Sequence, residues 1–512
     1  MNAKKIIGLM MIITLLSTSC SDFFDNDPKT ALTEEEAYLN HTEALIGSLY
    51  NQWRDIRKDR GGLMFQLGSD ESQQGAFQVS TDRDQAALDR YDGSLSPSNN
   101  ALTQQWDSRW RLVSAAAKAV KNLEINTPEE LKPLLGEACF IRAVLNFELT
   151  QYWGEIPLID AKITPVHGLT RQPLALVYDL IIKDLERAEQ YLPEKQTDKR
   201  KVSKGAAQAL LGKVYLSALI ESGIRDYAKA AEYFKKVIDN GNYRLVANYA
   251  DLFDPNKPNT TESIYEYQFS IVYPDNNQIQ WQTGSRALAD VANGYCYFGG
   301  YDLILPTIYC YNNASEGGIW EDGDLRKSES IRYDFQYDDY KPTLPGGFGG
   351  DELDPHIKKY EDKRTDRVTS FWYSGKNVHY LRLADIYLCY AECLNETGKT
   401  SDAVNIVNAN IRSRAWGGSL PDNKKWSTGM SQEDFRKNIM DERMRELCFE
   451  GWRRMDLIRT GKFVELVKTH NKWTKASGTI QQFHSRYPIP LTEIKQNEDI
   501  SEEDQNPGYG NY

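Results

Sequence analysis

The sequence is short of basic charge. Its 512 residues carry 61 Lys and Arg against 73 Asp and Glu, a formal net charge of -12. Nucleic-acid binding needs clustered cations against phosphate, so this balance argues against that class. Common catalytic signatures are also missing. The six His are dispersed, and no HExxH or GxxxxGKS/T run occurs. No compact Ser/His/Asp or Cys/His set is visible either. Cysteine is scarce, with seven in the whole chain. Cys139, Cys389, Cys393 and Cys448 fall in helical patterns and read as small buried apolar residues. Cys389 and Cys393 share a helix face, but no second pair completes a zinc tetrahedron. Cys296 and Cys310 are candidates for a disulfide, and the odd count leaves Cys20 for another fate. Long apolar runs are absent too. The longest, Ile6–Leu16, has eleven residues and is too short to span a bilayer.

That run has its own meaning. Lys4 and Lys5 precede it, and Ser17, Thr18 and Ser19 follow it, directly before Cys20. A positive start, a short apolar core and a small-residue end describe a signal peptide over residues 1–19. A cysteine at the cleavage point adds lipidation at Cys20, and several acyl chains anchor stably where one does not. Ser17 stands where the usual lipoprotein box has Leu, so the box is a loose one.

What the chain does have is helical periodicity. In Gly136–Pro157, Ala138, Ile141, Leu145, Leu149 and Tyr152 line one face, and Phe140, Val144 and Phe147 a second. A helix apolar on two sides is an inner helix of a stacked array. Thr127-Pro128-Glu129-Glu130 supplies a capped start, Pro133 separates a short helix from the main one, and Gly154 ends it. Thr33 opens an earlier helix of the S/T-x-x-E type. Residues 57–100 read as a long polar loop carrying Asp70, Glu71, Phe77, Asp82 and Tyr91. Helices are expected over Ala101–Ile125, Leu176–Leu192 and from Ser203. Leu211-Gly212-x-x-Tyr215 and Ala230-x-x-x-Phe234 reproduce the two small-residue cores of a tetratricopeptide repeat, with an extended turn between them. Ala391 and Ala403, twelve positions apart, repeat the device.

Residues 250–375 differ. Prolines, Gly pairs and short strand-like runs replace the helical pattern, and aromatic residues are dense. An aromatic-rich insertion on a helical scaffold is the expected ligand face. Flat rings stack on the apolar faces of sugars, although core burial accounts for most of these rings. Farther on, the charges of Ile439–Thr460 fall at three- and four-residue spacings. They read as structural ion pairs around a helical break near Gly451 rather than as acid–base machinery.

Ordered motifs complete the picture. Arg142-Ala143 through Trp153-Gly154-x-x-Pro157 is followed by Ala206–Tyr215, then Leu381-Arg382-Leu383-Ala384-Asp385-x-Tyr387. Next come Glu442-Arg443-x-Arg445-Glu446-Leu447 and Glu450-Gly451-x-Arg453-x-x-Asp456-Leu457. Pro488-Ile489-Pro490 and Gln505-Asn506-Pro507-Gly508-Tyr509 close the set. With the Cys20 leader, the series resembles the SusD/RagB family over nearly the whole mature chain.

The resemblance implies a mostly α-helical fold, with tetratricopeptide-like helix pairs supporting a loop-rich ligand face. Its expected regions are 20–245 and 246–512. It implies a surface lipoprotein of the outer membrane that binds oligosaccharides, or peptides in some branches. Such a protein hands them to a SusC-like TonB-dependent transporter and carries no cofactor. No family motif carries ligand contacts onto particular positions. Trp281, Tyr295, Tyr297 and Trp320, with Phe77 and Tyr91, are the candidate stacking residues. Asp338–Asp351 is either a calcium-organised loop, as in some relatives, or a solvated one. Two competing classes remain: a surface glycoside hydrolase, which needs two opposed carboxylates, and a helical scaffold that binds only protein.

Overall fold

The structure is a computed structural model that describes residues 34–76, 83–125, 128–159, 168–285, 300–333, 355–364 and 373–510, with side chains from residue 41. The chain divides into two compact units, Met1–Leu45 and Ile46–Tyr512. Of the first, the described part is the opening stretch of the helix Glu34–Asp55. The second contains the hydrophobic core.

That core is a run of helices, each packed on the next. Asn100–Ile125 packs on Lys132–Trp153, which packs on Leu174–Tyr191. Lys204–Ser217 follows, then Tyr227–Asp239, Leu383–Glu396 and Gln432–Leu447. The inner position expected for the Gly136–Pro157 stretch is real: Lys132–Trp153 is buried on every face from Leu134 to Gln151. Pro133 sits in its first turn, after a 3-10 turn at Glu129–Leu131. Gly154 ends it at φ +80, a conformation that suits glycine. Two of its polar side chains are firmly held inside the protein. Arg142 clamps Asp184 with two bonds of 2.7 Å. Gln151 donates to the Tyr178 hydroxyl and the Ser217 carbonyl, both at 3.0 Å.

The small residues singled out in the sequence allow close helix approach. A Cβ on Gly212 would lie 2.5 Å from the Phe234 ring, so Lys204–Ser217 and Tyr227–Asp239 meet where only glycine fits. Ala391 and Ala403 share a second core cluster with Phe435 and Ile439. Tyr227–Asp239 packs directly on Leu383–Glu396, although the whole insertion lies between them in sequence. The insertion therefore leaves the helical array and returns to it at one place. Its base is an antiparallel pair, Ser263–Tyr267 with Val378–Arg382, in which Ser263 faces Arg382 and Tyr267 faces Val378. Trp53 fixes this pair to the helices, stacked 4.9 Å from Tyr265 and edge-on to Phe140, Tyr267 and Tyr380.

The 57–100 stretch departs from the expected loop. It contains the helix Arg83–Arg90, and Asp70, Glu71 and Asp89 are buried. The cause is long-range pairing: Arg453 grips Asp70 at 2.6 and 2.8 Å. Asp89 accepts from the Gly68 and Gln74 backbone and from Asn471. The charged helix does break as expected, ending at Leu447 and resuming over Arg453–Arg459.

Its charges form a buried lattice. Arg326, Arg382, Arg412, Arg414, Arg445 and Lys359 interlock with Glu262, Glu321, Asp324, Glu442, Glu446 and Glu450. Counting Lys424, 3.8 Å from Glu321 at the partly exposed rim, seven cations meet six anions. Burial alone would raise the Glu450 carboxyl, but Arg382 and Lys359 overcome it and hold Glu450 down to about 2. Glu442 and Glu446 are held lower still, against burial, by the arginines that face them. Elsewhere burial dominates and pushes Asp89 up to about 6 and Glu137 up to about 7.

The signs give a pH profile. Raised carboxyls, Glu71, Asp89, Glu137 and Asp184, bind protons first in the fold and add stability as pH falls from 7 to about 5. His484, which burial holds down to about 4, opposes this with a smaller loss. Depressed groups are protonated first in the unfolded chain, so stability then falls below about pH 4.5. Urea titrations between pH 7 and 3 should show this maximum. A profile that climbs steadily from pH 4 to 7 would contradict the buried Asp89 and Glu137.

Candidate glycan-binding groove

A groove of about 840 Å³ opens where three distant parts of the chain meet. The first is the start of the helix Asn100–Ile125. Asn100, Gln104, Ser108 and Arg111 recur there at helical spacing and line one wall. Its first turn is pinned: Asn99 donates to the Asp84 carbonyl at 2.8 Å, and the Asn100 N–H donates to the Asp84 carboxylate at 3.1 Å. The second part is the turn after the helix Glu34–Asp55, with Asp59 and Arg60. Asp59 caps it by accepting from the Gly61 N–H at 2.9 Å. The third is the short helix Ile279–Thr283, flanked by Gln278 and including Gln282. The Gln278 N–H donates to the Lys58 carbonyl at 2.6 Å, which joins the second and third walls. Gly61 permits this close fit, since a Cβ there would lie 2.7 Å from the Gln105 amide nitrogen.

The lining is rich in side-chain amides: Gln52, Gln85, Asn100, Gln104, Gln105, Gln278 and Gln282. Each carries both donors and an acceptor, and so does a sugar hydroxyl. Asp55, Asp59 and Asp84 add acceptors, and Arg60 and Arg111 add donors. No histidine or cysteine is among the described lining residues. The arrangement can hold a polyhydroxylated chain through many paired hydrogen bonds.

The six candidate stacking residues divide into two groups. Phe77, Tyr295 and Tyr297 lie outside the described residues, as do Cys20, Cys296 and Asp338–Asp351. Ser285 and Gly300, the described residues on either side of 286–299, meet beside the third wall, where the Gly300 N–H donates to the Ser285 carbonyl at 2.7 Å. Segment 77–82 starts nearby, since the Gly75 N–H donates to the Asp302 carbonyl at 2.9 Å.

Tyr91, Trp281 and Trp320 are core residues, and the expectation that they stack on a ligand is corrected here. Their exposures are 0%, 3% and 1%. Tyr91 donates to the Gly68 carbonyl at 2.6 Å and receives Arg454 at 2.7 Å. Trp281 packs edge-on to Tyr301. The Trp320 indole N–H donates to the Cys310 carbonyl. Large rings are the most effective way to fill a core, and their density in the insertion serves that purpose. Cys310 is a free, buried thiol.

The amide groove was not singled out in the sequence. A signal for it exists in the Asn/Gln density of Asn276–Gln282 and of Asn99–Gln105. Nothing in either run alone says that the two meet.

Comparison with known proteins agrees with this fold. A family model described as "SusD family" matches residues 261–509, and one described as "Starch-binding associating with outer membrane" matches residues 22–216. The chain belongs to the SusD/RagB family. Two curated relatives show its reach. SusD-like protein P25 of Formosa agariphila is 24% identical over 99% of this chain and 100% of its own. Starch-binding protein SusD of Bacteroides thetaiotaomicron is 27% identical over 73% of this chain and 72% of its own. Among solved structures, a SusD homolog from Bacteroides thetaiotaomicron superposes with a TM-score of 0.77 at 21% identity, covering 92% of this chain and 97% of that one. In this SusD-family chain the motif residues Arg142, Arg382, Glu442, Arg443, Glu446 and Arg453 all lie in buried ion pairs. None of them lines the amide groove.

Trp320→Ala should therefore destabilise the protein by about 3–5 kcal/mol, as expected for emptying a packed indole site. Chemical denaturation measures this. A stability within about 0.5 kcal/mol of the parent, the range of an exposed side chain, would return Trp320 to the ligand-facing group.

Proposed function

We propose that this SusD-family protein is a surface lipoprotein of the outer membrane that binds an oligosaccharide in the amide groove. It hands the ligand to a SusC-like TonB-dependent transporter and performs no chemistry on it. The observation that carries this reading is the groove itself, wide enough for several sugar rings and lined by neutral groups that donate and accept alike. The family description as starch-binding and outer-membrane associated supports it, as does the name of the starch-binding relative. Lipidation of Cys20 behind the 1–19 leader supplies the anchor. Phe77, Tyr295 and Tyr297, carried by segments that begin or end beside the groove, are the proposed stacking rings. Flat aromatic faces over amide-lined walls would combine apolar contact with hydroxyl recognition.

The test is calorimetric titration of soluble protein, starting at Ser21, with plant, host and microbial oligosaccharides and with mixed peptides. Saturable binding to one glycan class without product is expected. Asn100→Ala with Gln104→Ala, both exposed, should weaken that binding by about 1–3 kcal/mol for two neutral hydrogen bonds and leave the melting temperature unchanged. Cleaved products would replace this reading with the hydrolase. Binding confined to peptides would replace the ligand class and keep the uptake role.

A further inference from the structure

Away from the groove, the base of the insertion encloses a cavity of about 80 Å³. Its wall includes Arg57, Arg109, Glu148, Tyr152, Tyr267 and Tyr380. The two arginines share one carboxylate. Arg57 Nη2 donates to one Glu148 oxygen, and Arg109 Nε donates to the other at 3.1 Å. Arg109 spends a further nitrogen on Gln105 at 2.7 Å. Among the described residues Arg57 Nη1 is buried without a hydrogen-bond partner, and so is the Tyr267 hydroxyl, although the Arg57 guanidinium lies 5.1 Å from the Tyr267 ring centre.

The lattice around Glu446 carries its excess cation at the rim, where Lys424 meets Glu321 and both side chains are 22% exposed to solvent. The second buried cluster is balanced. Lys213, Arg443 and Arg459 meet Asp385, Asp456 and Glu392. Here two guanidiniums meet one carboxylate. Glu450 also lines the cavity but is bound to Arg382 at 2.7 Å and Lys359 at 2.8 Å, inside that lattice. His379, the remaining titratable group of the wall besides tyrosines, is held at the Leu252 carbonyl at 2.9 Å, with Glu266 at 3.4 Å. Arg454 also lacks a carboxylate, but its guanidinium lies 4.3 Å from the Tyr487 ring and 4.7 Å from the Phe463 ring and donates to the His484 carbonyl.

We infer that this cavity binds one small inorganic monovalent anion, of the size and charge of chloride, between Arg57 and Tyr267. An excess buried positive charge is costly unless it is paired. The free N–H of Arg57 and the Tyr267 hydroxyl are both donors, and an anion takes donors only. The volume admits a monatomic ion with a water or two, given a water's share of about 30 Å³, and excludes a sugar ring or a carboxylate-bearing chain. The Arg57 side chain is 14% exposed, so the site has a route to solvent. The proposed glycan groove shares none of these six residues and touches the site only through Gln105, which accepts from Arg109.

Crystals of the full chain without its leader, soaked in sodium bromide, should show an anomalous peak within hydrogen-bond distance of Arg57 Nη1 and Tyr267 Oη. In solution the melting temperature should rise with chloride relative to gluconate at equal ionic strength. Tyr267→Phe keeps shape and charge and should raise the half-saturating chloride concentration about fivefold, the loss of one hydrogen bond. Water alone in the cavity, or equal melting in chloride and gluconate, overturns the inference. A chloride effect that Tyr267→Phe leaves unchanged also overturns it.

Discussion

The interaction on which the molecule depends is the clamp at Arg382. This residue ends the strand Val378–Arg382 and begins the helix Leu383–Glu396. Its guanidinium reaches Glu262 at 2.9 Å, Glu446 at 2.6 Å and Glu450 at 2.7 Å. Glu262 immediately precedes the partner strand, and Glu446 and Glu450 belong to the C-terminal charged stretch. One side chain thus ties both ends of the insertion to the helical array. Taking these groups out of water is expensive, and removing a single member of such a cluster costs about 3–5 kcal/mol because its partners remain buried. The lattice is better understood as a device that fixes geometry than as a source of net stability.

That fixed geometry is what makes a groove. Its third wall, Gln278 to Gln282, is carried by the insertion, and its other walls belong to the first hundred or so residues. The insertion leaves and re-enters the helices at one clamped base, so Gln278 is brought to Lys58 and Gly61 to Gln105. The closing segment does similar work at the other end of the inner helix. The Tyr487 N–H donates to the Tyr152 carbonyl at 2.8 Å, and the Trp153 indole donates to the Pro488 carbonyl at 3.0 Å.

The division of labour between residue types follows from burial. Charged motif residues, which in isolation suggest chemistry, hold the scaffold because they are paired and shut away from solvent. Aromatic rings, which suggest sugar stacking, mostly fill the insertion's interior, as Tyr265, Tyr267, Trp281 and Trp320 do, while Tyr273 and Tyr333 are exposed. Amides, which suggest nothing in particular in a sequence, line the groove, with Gln52, Asn100 and Gln104 exposed and Gln85, Gln105 and Gln282 buried behind them. Reading function from residue type alone therefore pointed at Trp281 and Trp320 and passed over Asn100, Gln104 and Gln278.

By itself the sequence determined the helical class, the inner helix Lys132–Trp153, the glycine and alanine contacts at Gly212 and Ala391, and the break before Gly451. All of these are local: periodicity and small-residue spacing act within a few turns of chain. The ordered motifs also determined the family. Only the tertiary structure decided that residues 57–100 are largely interior, because Asp70 meets an arginine 383 positions away. It alone decided which rings are covered and which amides converge, since both depend on contacts between segments far apart in sequence. The two-to-one charge balance around Glu148 is of the same kind, because Arg57, Arg109 and Glu148 lie on separate helical regions and become a cluster only when the chain has folded.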